Sequence, residues 1–359
     1  MLTIRGDLII DRDDYAIYHM SNGLDELTFE LSLNDSEIYP ILQEGKTVIQ
    51  ETKENQRYLV RKINAAGTYA VITCRLNLPD WECDLLIDPS NLNRAGFSHT
   101  LNEVTMLSRI MQVAGLAEWT VVSKVQTHQT RTMEMEGPTP LEAAVQLQKT
   151  FGCALRFDTA NKRVTVLYPQ EMPLSNSFVV DSVNLRSCPQ YKGRSTELYT
   201  RIYPVGKDGL GIASVNNGIP YLDDHSYTKT VICKLWVDAR YTDAASMKRD
   251  AKARLSAASR PIRSWTLDVI DLIRINPAIW PEMELTIWTR LLLQDSARDT
   301  TEPVQVVGDV VYPYYPERNK ITVSTEIETL QNTVAQALTN LQDPNGALWA
   351  QIKARRGEL

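Results

Sequence analysis

Few residues in this chain could do chemistry, and their spacing narrows what that chemistry would be. Four histidines (His19, His99, His128, His225) and five cysteines (Cys74, Cys83, Cys153, Cys188, Cys233) are scattered along 359 residues. A catalytic zinc wants two imidazoles one helical turn apart, as His-Glu-x-x-His provides, and no pair has that spacing. No Cys-x-x-Cys occurs, which excludes zinc ribbons and thioredoxin-type redox pairs. The odd, dispersed set reads as buried free thiols, because free Cys packs as a small hydrophobe. Asp223-Asp224-His225 is either a cation site or, more plainly, a solvated loop. Neither a Gly-x-Ser-x-Gly elbow nor a complete phosphate loop is present. Gly206-Lys207-Asp208-Gly209 has the glycines of such a loop but not its second half, and no helix is expected after it to lend its dipole. A β-turn is the better reading. Glu134 and Glu136 alternate with Met133 and Met135, as on the exposed face of a strand. Asp238-Ala239-Arg240 reads as a local ion pair or loop, and Lys248, Arg249, Lys252 and Arg254 as a solvated helix face. No catalytic, cofactor-binding or metal-ligating residue is assigned, and an enzyme is not expected.

The elements around these residues are those of an ordinary soluble protein. Hydrophobic residues make up 43% and charged residues 23%, so a sizeable core spread over several domains is expected. A net charge of −6 argues against a nucleic-acid-binding surface, though a channel that lets DNA slide through would also be non-basic. No apolar run reaches the length of a membrane span. Met1–Asp7 lacks the apolar core of a signal peptide, so the chain is expected to stay in the cytoplasm where it is made, or to leave by a route other than secretion.

Thr200–Leu222 (TRIYPVGKDGLGIASVNNGIPYL) organises the rest. Thr200–Tyr203 alternates as a half-buried strand, and Pro204 ends it or confines it to an edge. Lys207–Gly209 and Asn216–Gly218 have turn chemistry, with Leu210, Ile212 and Ser214 expected on a second strand between them. The predicted unit is a β-meander. Its ordered residues (Arg201, Pro204, Gly206, Lys207, Asp208, Gly209, Leu210, Ile212, Asn216, Gly218, Tyr221) resemble a signature of phage and prophage tail proteins. These are the N-terminal hub regions of tail-associated lysins and prophage tail endopeptidases, which share a fold with the baseplate hub of contractile phages.

Four domains are expected. Residues 1–95 form strands, including Leu27-Thr28-Phe29-Glu30-Leu31-Ser32-Leu33, Thr47–Glu51, Tyr58–Ile63 and Tyr69–Cys74. They read as a first small barrel and resemble the family's first tube domain. Residues 96–172 form an α/β module. It has capping boxes at Thr100–Glu103 and Thr139–Glu142, glycine stops at Gly115 and Gly152, a short strand at Trp119–Val122, and a hairpin from Ala154–Asp158 to Arg163–Leu167. Family hubs carry a similar insert. Residues 173–322 form a second barrel holding one helix, capped by Asp243 and closed by Pro261. Its expected strands include Ser226–Val231, Lys234–Val237, Trp265–Leu272, Leu285–Trp288, Val304–Val311 and Lys320–Val323. In residues 323–359, Ile327, Leu330, Val334, Ala337 and Leu341 repeat at heptad spacing, for packing on the body or for self-association about a threefold axis. The class is therefore α+β, mainly β: two tube-type barrels, an inserted α/β module and C-terminal helices.

The resemblance implies a structural hub of a phage, prophage or phage-tail-like particle. It would be a homotrimer whose two similar barrels per chain give six near-equivalent positions around a lumen. Its partners would be the tail tube or distal tail protein, the C-terminal part of the tape measure protein, and a spike or tip protein. DNA would be passing cargo only, and no membrane insertion is expected. Of the signature, Arg201, Gly206, Lys207, Asp208, Gly209, Asn216 and Gly218 are the interface candidates. Ile327, Leu330, Val334 and Leu341 are the candidates for helical self-association. The lysins carry a peptidase domain after the hub region. Here the resemblance spans most of residues 1–325 and the chain stops at Leu359, so lytic activity is not expected. Two alternatives stand beside this reading. A cell-wall hydrolase needs a nucleophile or metal constellation. A carbohydrate-binding tip module would use the seven tryptophans, but Trp236, Trp265 and Trp288 sit in strand patterns where core burial explains them better.

Overall fold

The computed structural model describes residues 1–4, 8–82, 85–88, 96–126, 128–180, 185, 190–239, 241–269, 278, 285–296 and 298–325. Ile327, Leu330, Val334, Ala337 and Leu341 lie outside these, as do Cys83, Cys188 and Arg240. Contacts divide the chain into two units. One holds residues 1–189 and 266–323, and the other holds Gln190–Trp265 with Ser324 and Thr325.

The first unit opens with strands β1 (Leu2–Ile4), β2 (Leu8–Ile10), β3 (Ala16–Met20), β4 (Glu26–Ser32), β5 (Val48–Glu51), β6 (Gln56–Ala66) and β7 (Tyr69–Leu76). They pair in the order β3-β4-β7-β6-β5-β1-β2. The expected alternation holds in β4: Leu27, Phe29 and Leu31 are buried, with Leu27 opposite Cys74 and Phe29 opposite Ile72. A short helix, α1 (Pro79–Glu82), buries Trp81 against Trp119 and Phe157.

The chain then forms β8 (Phe97–Asn102), α2 (Glu103–Val113), β9 (Thr120–Ser123), β10 (Thr130–Met135), α3 (Pro140–Phe151), β11 (Ala154–Asp158) and β12 (Arg163–Leu167). The second capping box forms as expected: the Glu142 amide donates to Thr139 Oγ1 while the Thr139 amide donates to Glu142 Oε2. Gly152 ends α3 at φ 67°, and β11 and β12 make the expected hairpin. The first capping box does not form. Thr100 lies in β8, which pairs with β10 and buries Phe97 and Met133, so the helix starts later. Asn102 caps it, accepting from the Thr105 amide.

One apolar core runs through both parts, from Leu27, Phe29 and Ile72 to Leu107, Ile110, Leu147 and Phe157. Two buried polar links pin the parts together. Gln148 Nε2 donates to the Asn22 carbonyl (3.1 Å) while its Oε1 accepts from the Leu155 amide (3.2 Å). Gln56 Oε1 accepts from both the amide and the hydroxyl of Thr159.

Beyond β13 (Leu174–Val180) comes the second unit, with β14 (Gln190–Arg194), β15 (Arg201–Val205), β16 (Leu222–Asp223), β17 (Cys233–Val237) and helix α4 (Ala244–Ala258). Strand β18 (Ile262–Asp268) carries the chain back to β19 (Arg290–Asp295), β20 (Thr300–Val311) and β21 (Lys320–Ser324). The first half of β20 pairs with β19 and its second half with β3, so Val311 lies opposite Ile17 and Gly308 opposite Met20.

The class is α+β, mainly β, as expected. The two small barrels are not found: among the described residues the large sheet stays open at β2 and at β13, and no pairing closes it. Three expected strands are also absent. Ser226–Val231 is bent, because Asp224 accepts from the Ser226 amide and Thr228 Oγ1 from the Thr230 amide, and such local bonds compete with a ladder. Leu285–Trp288 ends in a residue at φ 67°, and the strand lies just after it, where Leu291 and Leu293 point inward and Leu292 outward. Leu210–Ser214 forms turns, described below. Of the tryptophans, Trp265 and Trp288 are buried as expected. Trp236 is only half-buried, under the Arg254 guanidinium at 4.6 Å. Cys74 and Cys153 are buried, whereas Cys233 is exposed on β17.

Gly23 sits at φ 73°, and a Cβ there would lie 1.9 Å from the Leu155 carbonyl oxygen. Gly23→Ala should therefore push β11 away from the β3–β4 turn. The expected cost is about 3 kcal/mol or more, read as a lowered thermal midpoint. An unchanged midpoint would show that this close approach does not hold the two parts together.

Candidate assembly interface

The second unit contains a three-stranded sheet in the order β16-β15-β17, with α4 on one face. The helix forms because Asp243 caps it, accepting from the Ser246 amide at 2.7 Å, and because Met247, Ala251 and Leu255 recur on one face. Ala251 and Leu255 pack on Ile202, with Leu222 and Trp236 beside them. The sheet face away from α4 carries Tyr203 and Val205 on β15, in register with Leu235 and Val237 on β17.

The expected interface residues of the signature all lie in or beside the loop between β15 and β16. The structure brings Arg201 onto Asp223: Nε donates to Oδ1 at 2.6 Å and the guanidinium also donates to Oδ2 at 2.7 Å. The same guanidinium stacks on the Tyr221 ring at 3.8 Å. Hydrogen bonding to this fork holds the Asp223 carboxyl below its usual range. Asp223 is therefore an Arg201 partner, and Asp224 accepts from Ser226 and Ser259, so this acidic pair is occupied by the protein itself.

The remaining signature residues shape the backbone. The Gly206 amide donates to the Leu210 carbonyl, and a Cβ on Gly206 would meet the Tyr241 carbonyl oxygen at 2.7 Å. Asp208 (φ 54°) and Gly209 (φ 79°) turn the chain through the left-handed region. The Lys207 side chain is exposed, while its amide donates to Tyr241. Ala213–Val215 then makes a 3-10 turn whose end accepts from Lys248 Nζ, so the predicted middle strand of the meander is replaced by a folded loop. Asn216 Nδ2 donates to the carbonyls of Ile219 and Tyr221, and Asn217-Gly218 makes the expected turn at φ 53° and 81°. The Leu222–Asp223 strand then pairs back onto Arg201–Ile202.

Spacing gave no hint of the clusters in the first unit, because their members are far apart in sequence. His19 lies between Asp309 (3.0 Å) and Glu54 (2.9 Å). Asp88, fully buried, takes His99 and both arms of Arg109. Glu103, fully buried, accepts from His128, the Gln129 amide and the Tyr168 hydroxyl. By residue type Cys153 is a candidate nucleophile, and the Glu103 charge reaches it. Its thiol is buried, however, and burial pushes it up to about 12, so it is no thiolate at neutral pH. Among the described residues no group of three His, Cys, Asp or Glu is arranged to hold a metal ion.

The fold decides the resemblance. Crystal structures of the prophage tail protein gp18 from Listeria monocytogenes EGD-e (TM-score 0.64, 14% identity, 93% of this chain and 94% of that one) and the prophage MuSo2 43 kDa tail protein from Shewanella oneidensis (0.62, 12%, 90% and 96%) are similar throughout. The fold is that of prophage tail proteins. A tail protein from Neisseria meningitidis MC58 is similar too (0.61, 9%, 92% and 96%). Residues 189–334 match the model of the prophage endopeptidase tail family, and this match contains the whole signature stretch. No curated protein matches the sequence.

Two predictions arise here. Gly209→Val should cost about 1–3 kcal/mol, since a β-branched residue resists positive φ. An unchanged melting temperature would refute that turn. The second concerns pH. Burial pushes buried Glu26 up to about 7 against the pull of Arg75. Burial also opposes charge on His19, yet Asp309 and Asp25 hold it well above its ordinary value. Both folded values are raised, so each group stabilises fully below its unfolded value and loses that contribution as pH climbs through its folded one. Thermal stability should fall between pH 5 and pH 8, with Glu26 contributing about 3 kcal/mol of that loss. Glu26→Gln should flatten the curve in this window, and an unaltered curve would contradict the assignment.

Proposed function

We propose that this chain is a structural hub protein of the tail of a phage, prophage or phage-tail-like particle, and not an enzyme. The observation that carries the reading is the likeness of fold to prophage tail proteins over at least nine-tenths of both chains in each comparison. The match of residues 189–334 to a prophage tail family supports it. In this reading the protein resides at the tail tip and acts by matching interfaces rather than by chemistry. Three copies surround a lumen, and residues 1–95 and 173–322 of each provide its wall. The ring joins the tail tube or distal tail protein to a spike or tip protein, and the end of the tape measure protein occupies the lumen before DNA or another cargo passes. Ile327, Leu330, Val334 and Leu341 gather the three C-terminal segments about the axis.

Negative-stain microscopy with mass photometry tests this. Threefold rings with a central hole, at three times the 40.6 kDa chain mass, are expected, alone or on adding tail tube and spike proteins. Particles that stay monomeric with every partner present would overturn the hub reading.

A further inference from the structure

Charge is divided unevenly along this chain. Residues 190–265 hold thirteen Lys and Arg against seven Asp and Glu, a net of +6. With −6 overall, the rest of the sequence carries −12. The basic stretch is the second unit, and it has an unprotected edge. Strand β17 pairs only with β15 among the described residues, so its other side offers free backbone donors and acceptors. Leu235 and Val237 on this strand are 62% and 63% exposed, on the face away from α4. An open edge strand bearing exposed aliphatic side chains is what folded proteins ordinarily blunt or cover, since it recruits other strands.

The first unit has a complementary edge. Strand β2 ends the order of the large sheet, and Ile9 on it is 53% exposed. Asp11, Asp13 and Asp14 follow directly, around a single Arg12, and all three aspartates are exposed. Strand β17 is flanked by exposed Lys229 and carries exposed Lys234. The two edges are therefore alike in having aliphatic side chains and opposite in charge.

We infer that β17 of one copy pairs edge to edge with β2 of a second copy, Leu235 and Val237 packing near Ile9 while the lysines meet the aspartates. The inference rests on the ring reading above and deepens it by naming the subunit contact. The contact is head-to-tail, since each copy offers one edge and receives on the other, and a repeated contact of this type closes into a ring when the rotation allows. Charge complementarity steers the encounter and fixes its register, and burial of the aliphatic side chains holds it. The aliphatic character of the face favours a protein partner over nucleic acid, despite the basic charge.

The exposed thiol of Cys233 on β17 provides the test. Full-length protein carrying Ile9→Cys, alone and with its tail partners, is treated with a short bis-maleimide beside wild type. Dimers and trimers cross-linked only in the variant, and lost when Leu235→Glu and Val237→Glu are added, are expected. Leu235→Glu with Val237→Glu in otherwise wild-type protein should reduce the oligomer to monomer in mass photometry. Rings that form without the cross-link overturn this pairing and leave the hub reading standing, whereas monomers under all conditions overturn both. Duplex DNA binding that is lost in Lys252→Glu/Arg254→Glu, with no cross-link, would reassign the basic unit to nucleic acid.

Discussion

The first unit depends on one long-range pairing. Strand β20 lies against β3, joining residues almost 300 positions apart, and without it residues 266–323 would have no place in the sheet begun by residues 2–76. His19 and Asp309 face each other across this seam, with Glu54 on the other ring nitrogen. Such a buried group is costly if half-satisfied, so the three side chains specify the register as well as adding to stability. A slip of one residue would put His19 and Asp309 on opposite faces.

The α/β module attaches by a different logic. Its helices and the sheet share one apolar core, which is non-directional and would tolerate several orientations. Direction comes from the polar links at Gln148 and Gln56 and from the backbone approach at Gly23. The residues that look most chemical (His128 with Glu103, His99 with Asp88) belong to this same positioning work. Asp88 and Glu103 each have both carboxylate oxygens hydrogen-bonded within the fold.

The second unit is the opposite case. Its core is small, resting on Ile202, Ala251 and Leu255, and much of its aliphatic surface faces outward. Its signature residues consequently serve geometry: Arg201 locks β16 to β15 through Asp223, while Gly206 and Gly209 permit a folded loop where a third strand was expected.

Local chemistry was legible in the sequence. The capping box at Thr139, the stop at Gly152, the hairpin Ala154–Leu167, the alternation of Leu27, Phe29 and Leu31, and the cap at Asp243 were all readable because each depends on residues a few positions apart. The signature stretch was legible as a family resemblance, and the family match falls on it. Where local signals were ambiguous the tertiary structure decided. Thr100 became a strand residue because Phe97 and Met133 gained burial across β8 and β10. The Leu291–Leu293 run became a strand only because β13 and β20 flank it. The predicted barrels gave way to an open sheet, since closure depends on how distant strands meet, which periodicity within each strand does not encode. The sequence alone determined which segments are helix, strand and turn over much of the chain, and that no catalytic spacing is present. The pairing of β20 with β3, the histidine–carboxylate contacts and the bare edge of β17 came only from the tertiary structure, because they join residues whose separation along the chain carries no signal.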